Sequence, residues 1–282
     1  MAIIDNTKLF ESIEEKIKGL NSCLNEQLVR EPFTKDFALR FCWSSNAIEG
    51  NTLSLEETVS LIEYDEVHSG HTYSEYQEAK GLYSAISKLM VPFQKREITE
   101  EWVKEANSLV MGWEGEYRTD NVYIGNLVEA VYYPPSWDLV PALMKDYMKK
   151  VNFKENNIQK AIEEIATQHI KFERIHPFHN GNGRVGRMIL NQQLINNDLL
   201  PICIKPTGKY RQAFRSYEKN NDISLLVHVL GKAEEESADL VLGLKQKTIA
   251  SGLENDPVER ALKRNSVLQA KSVKEHKRDI EL

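Results

Sequence analysis

Residues 176–187 read HPFHNGNGRVGR, a stretch that crowds two histidines, three glycines and two arginines into a single short segment. Gly181 and Gly183 let the backbone bend tightly and approach a ligand with no Cβ in the way. A helix opening near Arg184 would aim its N–H groups and the positive end of its dipole at an anion. Arg184 and Arg187 stand three apart, so they share a helix face, and each guanidinium can fork onto phosphate oxygens. His176, at the far end of the loop, is a base of near-neutral pKa. Together these groups suit the transfer of part of a nucleotide to an acceptor.

Two other chemistries fit the segment less well. Gly181-x-Gly183-x-x-Gly186 matches the dinucleotide fingerprint, but that fingerprint needs a buried strand before it and a parallel βαβ unit around it. The preceding IATQHIKFERIHPF reads as helix and then turn, and no βαβ alternation occurs in the chain. His169, His176 and His179 could suggest a metal, yet His169 is placed as a core histidine of a helix, and no cysteine or carboxylate completes a coordination sphere.

The elements that must hold the loop are helical. Leu9, Phe10, Ile13, Ile17 and Leu20 recur at helical spacing, and Pro32 is expected to break that pattern, with a second helix opening near Thr34. That helix carries Phe37, Ala38, Phe41 and Ile48 and should stop at Gly50, since glycine takes the left-handed conformation at a helix end at no steric cost. Ser54 and Glu57 form a capping box for a third helix. Further helical patterns cover roughly 73–90, 98–112, 137–150, 156–173, 184–197, 207–219 and 222–246. Only VYIGNLVEAVYY at 122–133 reads as β, a hairpin turning at Gly125–Asn126 and ended by Pro134 and Pro135. From about Asp256 the chain mixes charges with few large apolar residues, which predicts a solvated helix or frayed tail.

Composition bounds the function. A chain of 282 residues with 41% hydrophobic residues can build a real core, and its net charge of -6 argues against a nucleic-acid backbone as main partner. Three widely spaced cysteines, Cys23, Cys42 and Cys203, make no disulfide framework and fit a reducing compartment. The N-terminus lacks the basic leader and apolar block of a signal peptide, and no apolar run nears the ~20 residues that span a bilayer. The expectation is a soluble, cytoplasmic protein without a membrane partner.

HPFHNGNGRVGR closely resembles the Fic motif, H-P-F-x-[D/E]-G-N-G-R-x-x-R, and the resemblance extends through HIKFERIHPF, GEYRTDNVYIG and YYPPSWDLVPALM. It implies an all-α, Fic-type helical bundle with one short β-hairpin flap. It also implies transfer of AMP from ATP, with Mg²⁺, to a hydroxyl side chain of a target protein. By position, His176 would be the general base and Phe178 the loop's anchor. Gly181, Asn182 and Gly183 would form the anion pocket, and Arg184 and Arg187 would hold the β- and γ-phosphates. Asn180 stands where the family places a metal-holding acid, and its neutral side-chain oxygen would hold the cation weakly. Ser45-x-x-x-Glu49-Gly50 is similar to the inhibitory motif of relatives with their own inhibitory helix, in which the glutamate pairs with the second arginine, here Arg187.

The 122–133 hairpin, through Val122, Tyr123, Ile124, Tyr132 and Tyr133, could pair its edge with an extended target segment. The divisions expected are an N-terminal helical region at 1–100 with the inhibitory helix at about 35–50, and a core at 101–235 with the flap at about 121–135. A C-terminal helix and tail at 236–282 would follow. Removal of AMP from targets, transfer of another phosphate-containing group, or a non-catalytic nucleotide sensor are the alternative readings. A homo-oligomer is left open.

Overall fold

The computed structural model describes residues 3–20, 23, 26–125 and 130–250. Helices dominate it: α1 (Thr7–Ile17), α2 (Gln27–Glu49), α3 (Leu55–Tyr64), α4 (Tyr73–Leu89) and α5 (Glu100–Met111) precede a short hairpin. The hairpin pairs β1 (Ile124–Gly125) with β2 (Ala130–Tyr132). A single 3₁₀ turn at Trp137–Leu139 leads into α6 (Val140–Val151), α7 (Ile158–Ile175), α8 (Asn182–Asn196), α9 (Gly208–Asn220) and α10 (Ser224–Ala250). The all-α class with one small hairpin is therefore what the chain adopts. Among the described residues no helix is long and apolar enough to cross a membrane.

The bundle is built around α8. Val185, Met188, Ile189 and Ile195 face a core shared with α2, α4, α5 and α6, while Leu190 and Leu194 face a second one shared with α1, α7, α9 and α10. A helix apolar on both sides must lie inside, and burying each large aliphatic side chain contributes ~1.5–3 kcal/mol. Polar residues of α8 are buried too, and several of them bond the backbone of neighbouring elements. Gln193 donates to the Val151 carbonyl at 3.0 Å, Gln192 to that of Gln94 at 2.9 Å, and Asn191 accepts from Ile202 N–H at 2.6 Å. These bonds fix the helix, and hence its N-terminus, relative to the rest of the bundle.

Three expectations about elements need correction. Pro32 does not break a helix: α2 opens at Gln27 and carries Pro32 within it. The ring removes one backbone bond, a cost of ~3 kcal/mol in a helix interior, but here it falls just past the turn whose N–H groups lack partners anyway. Val29 and Phe33, both almost fully buried against Leu200, Ala238 and Val241, hold that turn in place. Gly125 belongs to β1 and pairs with Ala130 next to a register irregularity, while Asn126, the other residue of the expected turn, lies outside the described residues. Helix α8 begins at Asn182 rather than Arg184. The tail expected from about Asp256 lies outside the described residues.

Ends are set as their sequences suggest. Gly50 closes α2 in the left-handed conformation at φ 103°, and Ser54 and Glu57 complete a reciprocal capping box on α3. Helix α2 is thereby a single 23-residue rod that packs on α3, α4, α8 and α10. That rod delivers Ser45 and Glu49 to the start of α8.

Candidate active site at the start of α8

The loop between α7 and α8 begins with a backbone reversal. His176 is the C-cap of α7 in the left-handed region, at φ 49° and ψ 61°, and its N–H still bonds the Phe172 carbonyl at 3.0 Å. A non-glycine residue there is uncommon and must be held by its surroundings. Arg118 holds it. This fully buried side chain donates from Nε to the His176 carbonyl at 2.9 Å, from Nη1 to the Asp120 carbonyl at 2.9 Å, and from Nη2 to the Pro135 carbonyl. Its backbone N–H also bonds the Pro177 carbonyl at 2.9 Å. One guanidinium thus ties the histidine to both flanks of the hairpin. Sequence reasoning quoted the GEYRTD stretch but missed Arg118, because its partners are carbonyls, which leave no trace in residue types.

The His176 ring is half-buried, and burial draws its pKa down to about 4; a backbone bond to Glu173 and the Glu49 charge oppose this, while the Arg118 charge adds to it. At neutral pH the imidazole is uncharged. Its Nδ1 lies 3.3 Å from the Glu173 carbonyl, so the neutral ring donates there and keeps its lone pair on Nε2. That is the form a general base requires.

Phe178 is buried against Tyr117, with ring centroids 5.6 Å apart, and anchors the loop in the core. Asn182 clamps it further, accepting from Phe178 N–H at 2.9 Å and donating to the Phe178 carbonyl at 2.7 Å. The Asn182 side chain is therefore committed to the loop, and only its backbone N–H can serve an anion. Gly181 takes φ +81°, and a Cβ there would meet Asn107 Nδ2 and Met111 Sδ at 2.9 Å. No side chain caps α8, so its first-turn N–H groups await an acceptor.

A carboxylate lies beside this helix start. Glu49 Oε1 lies 2.2 Å from where a Cβ on Gly183 would be, so the carboxylate occupies the space that the missing side chain leaves. Arg187 Nη2 donates to Glu49 Oε1 at 2.7 Å and to the Ser45 carbonyl at 2.9 Å, while Nε donates to Ser45 Oγ at 2.8 Å. Burial would raise the Glu49 pKa, but the charges of Arg187, Arg184 and Arg211 outweigh it and hold the carboxyl below its usual value. Arg184 is held more loosely: Nη1 reaches Asn46 Oδ1 at 3.4 Å and Glu78 Oε1 at 3.6 Å. Both arginines keep only 2% of their side-chain surface in water, so a phosphate reaches them only after these partners yield. Glu78, on α4, was not singled out in the sequence; it lies far from the motif and carries no spacing signal.

Behind Arg187, His169 is a core residue bonded through Nε2 to Tyr210 Oη at 2.6 Å, as its place on a helix suggests. His179 is exposed and pairs with Asp120 at 2.9 Å. Asn180 is exposed, its Oδ1 accepting from Gly181 N–H at 2.7 Å and facing Arg184 Nη2 at 3.5 Å. An oxygen facing two donors is poorly disposed toward a cation, and no group of three or more His, Cys, Asp or Glu that could hold a metal occurs among the described residues.

Of the hairpin residues, Tyr123 and Tyr133 are exposed, whereas Val122, Ile124 and Tyr132 are half-buried. Tyr132 donates to the Arg174 carbonyl at 3.3 Å, beside the end of α7, so the hairpin is fastened next to His176.

Residues 97–194 match the family model described as Fic/DOC family. The chain is 27% identical over 243 residues to "Protein adenylyltransferase Fic" of Aedes aegypti, covering 83% of this chain and 48% of that protein. It is 28% identical over 247 residues to the protein of that name from Drosophila erecta, covering 85% and 48% respectively. The chain thus spans about half the length of these curated relatives. Among solved structures, a Fic domain containing signaling protein from Bacteroides thetaiotaomicron superposes with TM-score 0.73 at 22% identity, over 84% of this chain and 97% of that one. Fic-1 from C. elegans gives 0.70 at 24% identity, over 85% and 72%. These likenesses establish the shared fold.

Proposed function

We propose, from the premise that residues 97–194 of this chain are a Fic/DOC-family domain, that it transfers AMP from ATP to a hydroxyl side chain of a target protein. The observation that carries the reading is a neutral imidazole, His176, held beside a helix start whose anion cradle is already filled by a carboxylate. A triphosphate would take the place of Glu49. The first-turn N–H groups of α8 and the Gly183 surface would receive its oxygens, and Arg184 and Arg187 would neutralise the β- and γ-phosphates. His176 Nε2 takes the proton from the acceptor hydroxyl, whose oxygen bonds the α-phosphorus as the bond from that phosphorus to the bridging oxygen breaks. Pyrophosphate leaves with the electron pair. Most of the acceleration comes from positioning and charge neutralisation.

Any divalent cation would have to be bound chiefly by the nucleotide, since Asn180 contributes one amide oxygen that is already engaged.

Glu49 acts as a brake in this reading. With Arg187 committed to Ser45 and Glu49, the γ-phosphate lacks its cation and the cradle lacks room. The exposed hairpin residues Tyr123 and Tyr133 are proposed to face the target, whose extended main chain would pair along the edge and bring its hydroxyl to His176. The test is intact-mass analysis of Glu49→Gly incubated with ATP and Mg²⁺, beside the same protein carrying His176→Ala. A gain of one AMP that vanishes with His176→Ala is expected; a gain of phosphate, or none, refutes AMP transfer.

A further inference from the structure

Helix α9 carries a feature that the nucleotide site does not use. A shallow, solvent-open groove runs along it, lined by Lys209, Arg211, Arg215 and Lys219 together with Gly208, Gln212, Ser216 and Asn220, and among the described residues no carboxylate lines it. The chain as a whole is acidic, with net charge -6, so this concentration of cations is local. Neighbouring cations are paired: Lys205 with Glu236, Lys232 with Glu235, and Arg174 with Glu218. Lys209, Arg215 and Lys219 form no ion pair with any described residue.

Helix stability accounts for Lys219, a cation in the last turn, but not for the rest of the arrangement. Arg211, Arg215 and Lys219 follow one another at four-residue spacing, which sets like charges against each other on one face. Lys209 stands in the first turn, where the helix dipole disfavours a cation. Thr207, at the N-cap, makes no side-chain bond to that turn, so its N–H groups add to the positive end of the groove. All four cations are exposed, and Arg211 alone has a fixed partner, the Ile48 carbonyl beside Glu49.

The groove approaches the site at one end, where Arg211 bonds the Ile48 carbonyl next to Glu49. Arg174 lies 5.3 Å from the ring centroids of both Tyr217 on α9 and Tyr132 on the hairpin, joining the two elements. The Tyr210 ring of α9 lies 5.9 Å from Arg187. A chain segment lying on the hairpin therefore adjoins the tyrosine face of α9, and the cations of the groove lie on a different face of the same helix.

We infer that the α9 groove docks an acidic segment of the protein that the site modifies. This rests on the protein-modifying reading above and adds to it a substrate class: targets with a run of Asp or Glu near the acceptor hydroxyl. From Arg211 to Lys219 the row of charge spans about 12 Å of helix, the reach of roughly four residues of extended peptide. That length suits a short acidic run and is small for a duplex nucleic acid, whose interfaces bury more than ~600 Å².

The test uses a fluorescein-labelled oligoglutamate peptide as the probe. Fluorescence anisotropy at low salt is expected to show binding to the wild-type chain that weakens steeply as salt rises, and the charge-reversed R215E/K219E protein should bind at least about tenfold more weakly. Both positions are exposed; the reversal relieves repulsion from Arg211 but sets two acids four apart and removes a cation from the last turn, so the melting temperature should change only slightly. Equal binding by the two proteins, absence of binding, or tighter binding of a single-stranded oligonucleotide overturns the inference. In a second measurement, Glu49→Gly with labelled ATP receives threonine peptides with and without an appended acidic run. The acidic run should lower KM with kcat unchanged, and R215E/K219E should abolish that difference while leaving self-labelling intact. If Glu49→Gly labels nothing, the AMP-transfer reading fails while the anisotropy still tests the groove. If it labels both peptides equally, the docking inference alone fails.

Discussion

Replacing Glu49 with Gln or Gly perturbs the latch at a single carboxylate. Arg187 is held by three bonds, of 2.8 and 2.9 Å to Ser45 and 2.7 Å to Glu49, and only the last joins two opposite charges. Removing one partner of a fully buried ion pair costs ~3–5 kcal/mol. The Glu49 side chain keeps 38% of its surface in water, so solvent screens it and a single charge-assisted bond of ~1.5–3 kcal/mol is the upper bound. After that discount, about 1–2 kcal/mol of stability should be lost at neutral pH. For a chain of this size the melting temperature then falls by roughly 3–6 °C.

A triphosphate must overcome the same 1–2 kcal/mol, roughly, to free Arg187, so the variants should capture nucleotide about five- to thirtyfold more readily. Glu49→Gln keeps an oxygen acceptor and should fall between wild type and Glu49→Gly. The sign with pH also follows. The folded-state pKa of Glu49 lies below its ordinary value of 4.5, so its contribution is present above that pH and lost as pH falls through the folded value. Differential scanning fluorimetry and the initial rate of label transfer from α-labelled ATP read both effects. If neither the melting temperature nor the rate differs from wild type, Glu49 is not a latch.

Gly183→Ala places a methyl 2.2 Å from Glu49 Oε1 and 3.0 Å from Arg187 Nη1. It should loosen the latch as Glu49→Gln does, yet gain no transfer because the methyl also fills the cradle; a gain matching Glu49→Gly contradicts this. Arg118→Ala strips the carbonyls of His176, Asp120 and Pro135 of their donor, at ~1–3 kcal/mol for each that water does not reach. Melting temperature and transfer should both fall sharply, and Arg118→Lys should restore only part, since an ammonium cannot reproduce the guanidinium fork; an unchanged melt argues against the role given to Arg118. His176 should titrate near pH 4 by NMR, remaining neutral well below the usual histidine range. Because its folded pKa is depressed, it should draw stability from the fold as pH drops from 6.5 toward that value; a midpoint near 6.5 would refute the burial argument.

The sequence exposed the parts of this site that follow local rules. Four-residue spacing put Ser45 and Glu49 on one helix face, Gly50 marked where that face ends, and Gly181 marked where the backbone turns into α8, whereas Gly183 lies within that helix. Helices with strong apolar periodicity, such as 73–90 and 98–112, lie within two residues of α4 and α5. What sequence did not disclose depends on distant partners. Pro32 stays helical because Val29 and Phe33 pack on residues some two hundred positions away. Arg118 and Glu78 act on the loop through side chains whose partners lie tens of residues along the chain. The commitment of Asn182 to Phe178 and the inward draw on the His176 pKa follow from burial, which residue types alone do not specify.

The central claim is spatial: ATP should place its α-phosphorus beside His176 once Glu49 is gone. A crystal structure of Glu49→Gly with a non-hydrolysable ATP analogue tests it directly. The account predicts the triphosphate at the start of α8, Arg187 turned from Ser45 onto the γ-phosphate, and His176 Nε2 open to a hydroxyl in line with the α-phosphorus. A nucleotide bound elsewhere, or Arg187 still on the Ser45 carbonyl with the cradle empty, would contradict it.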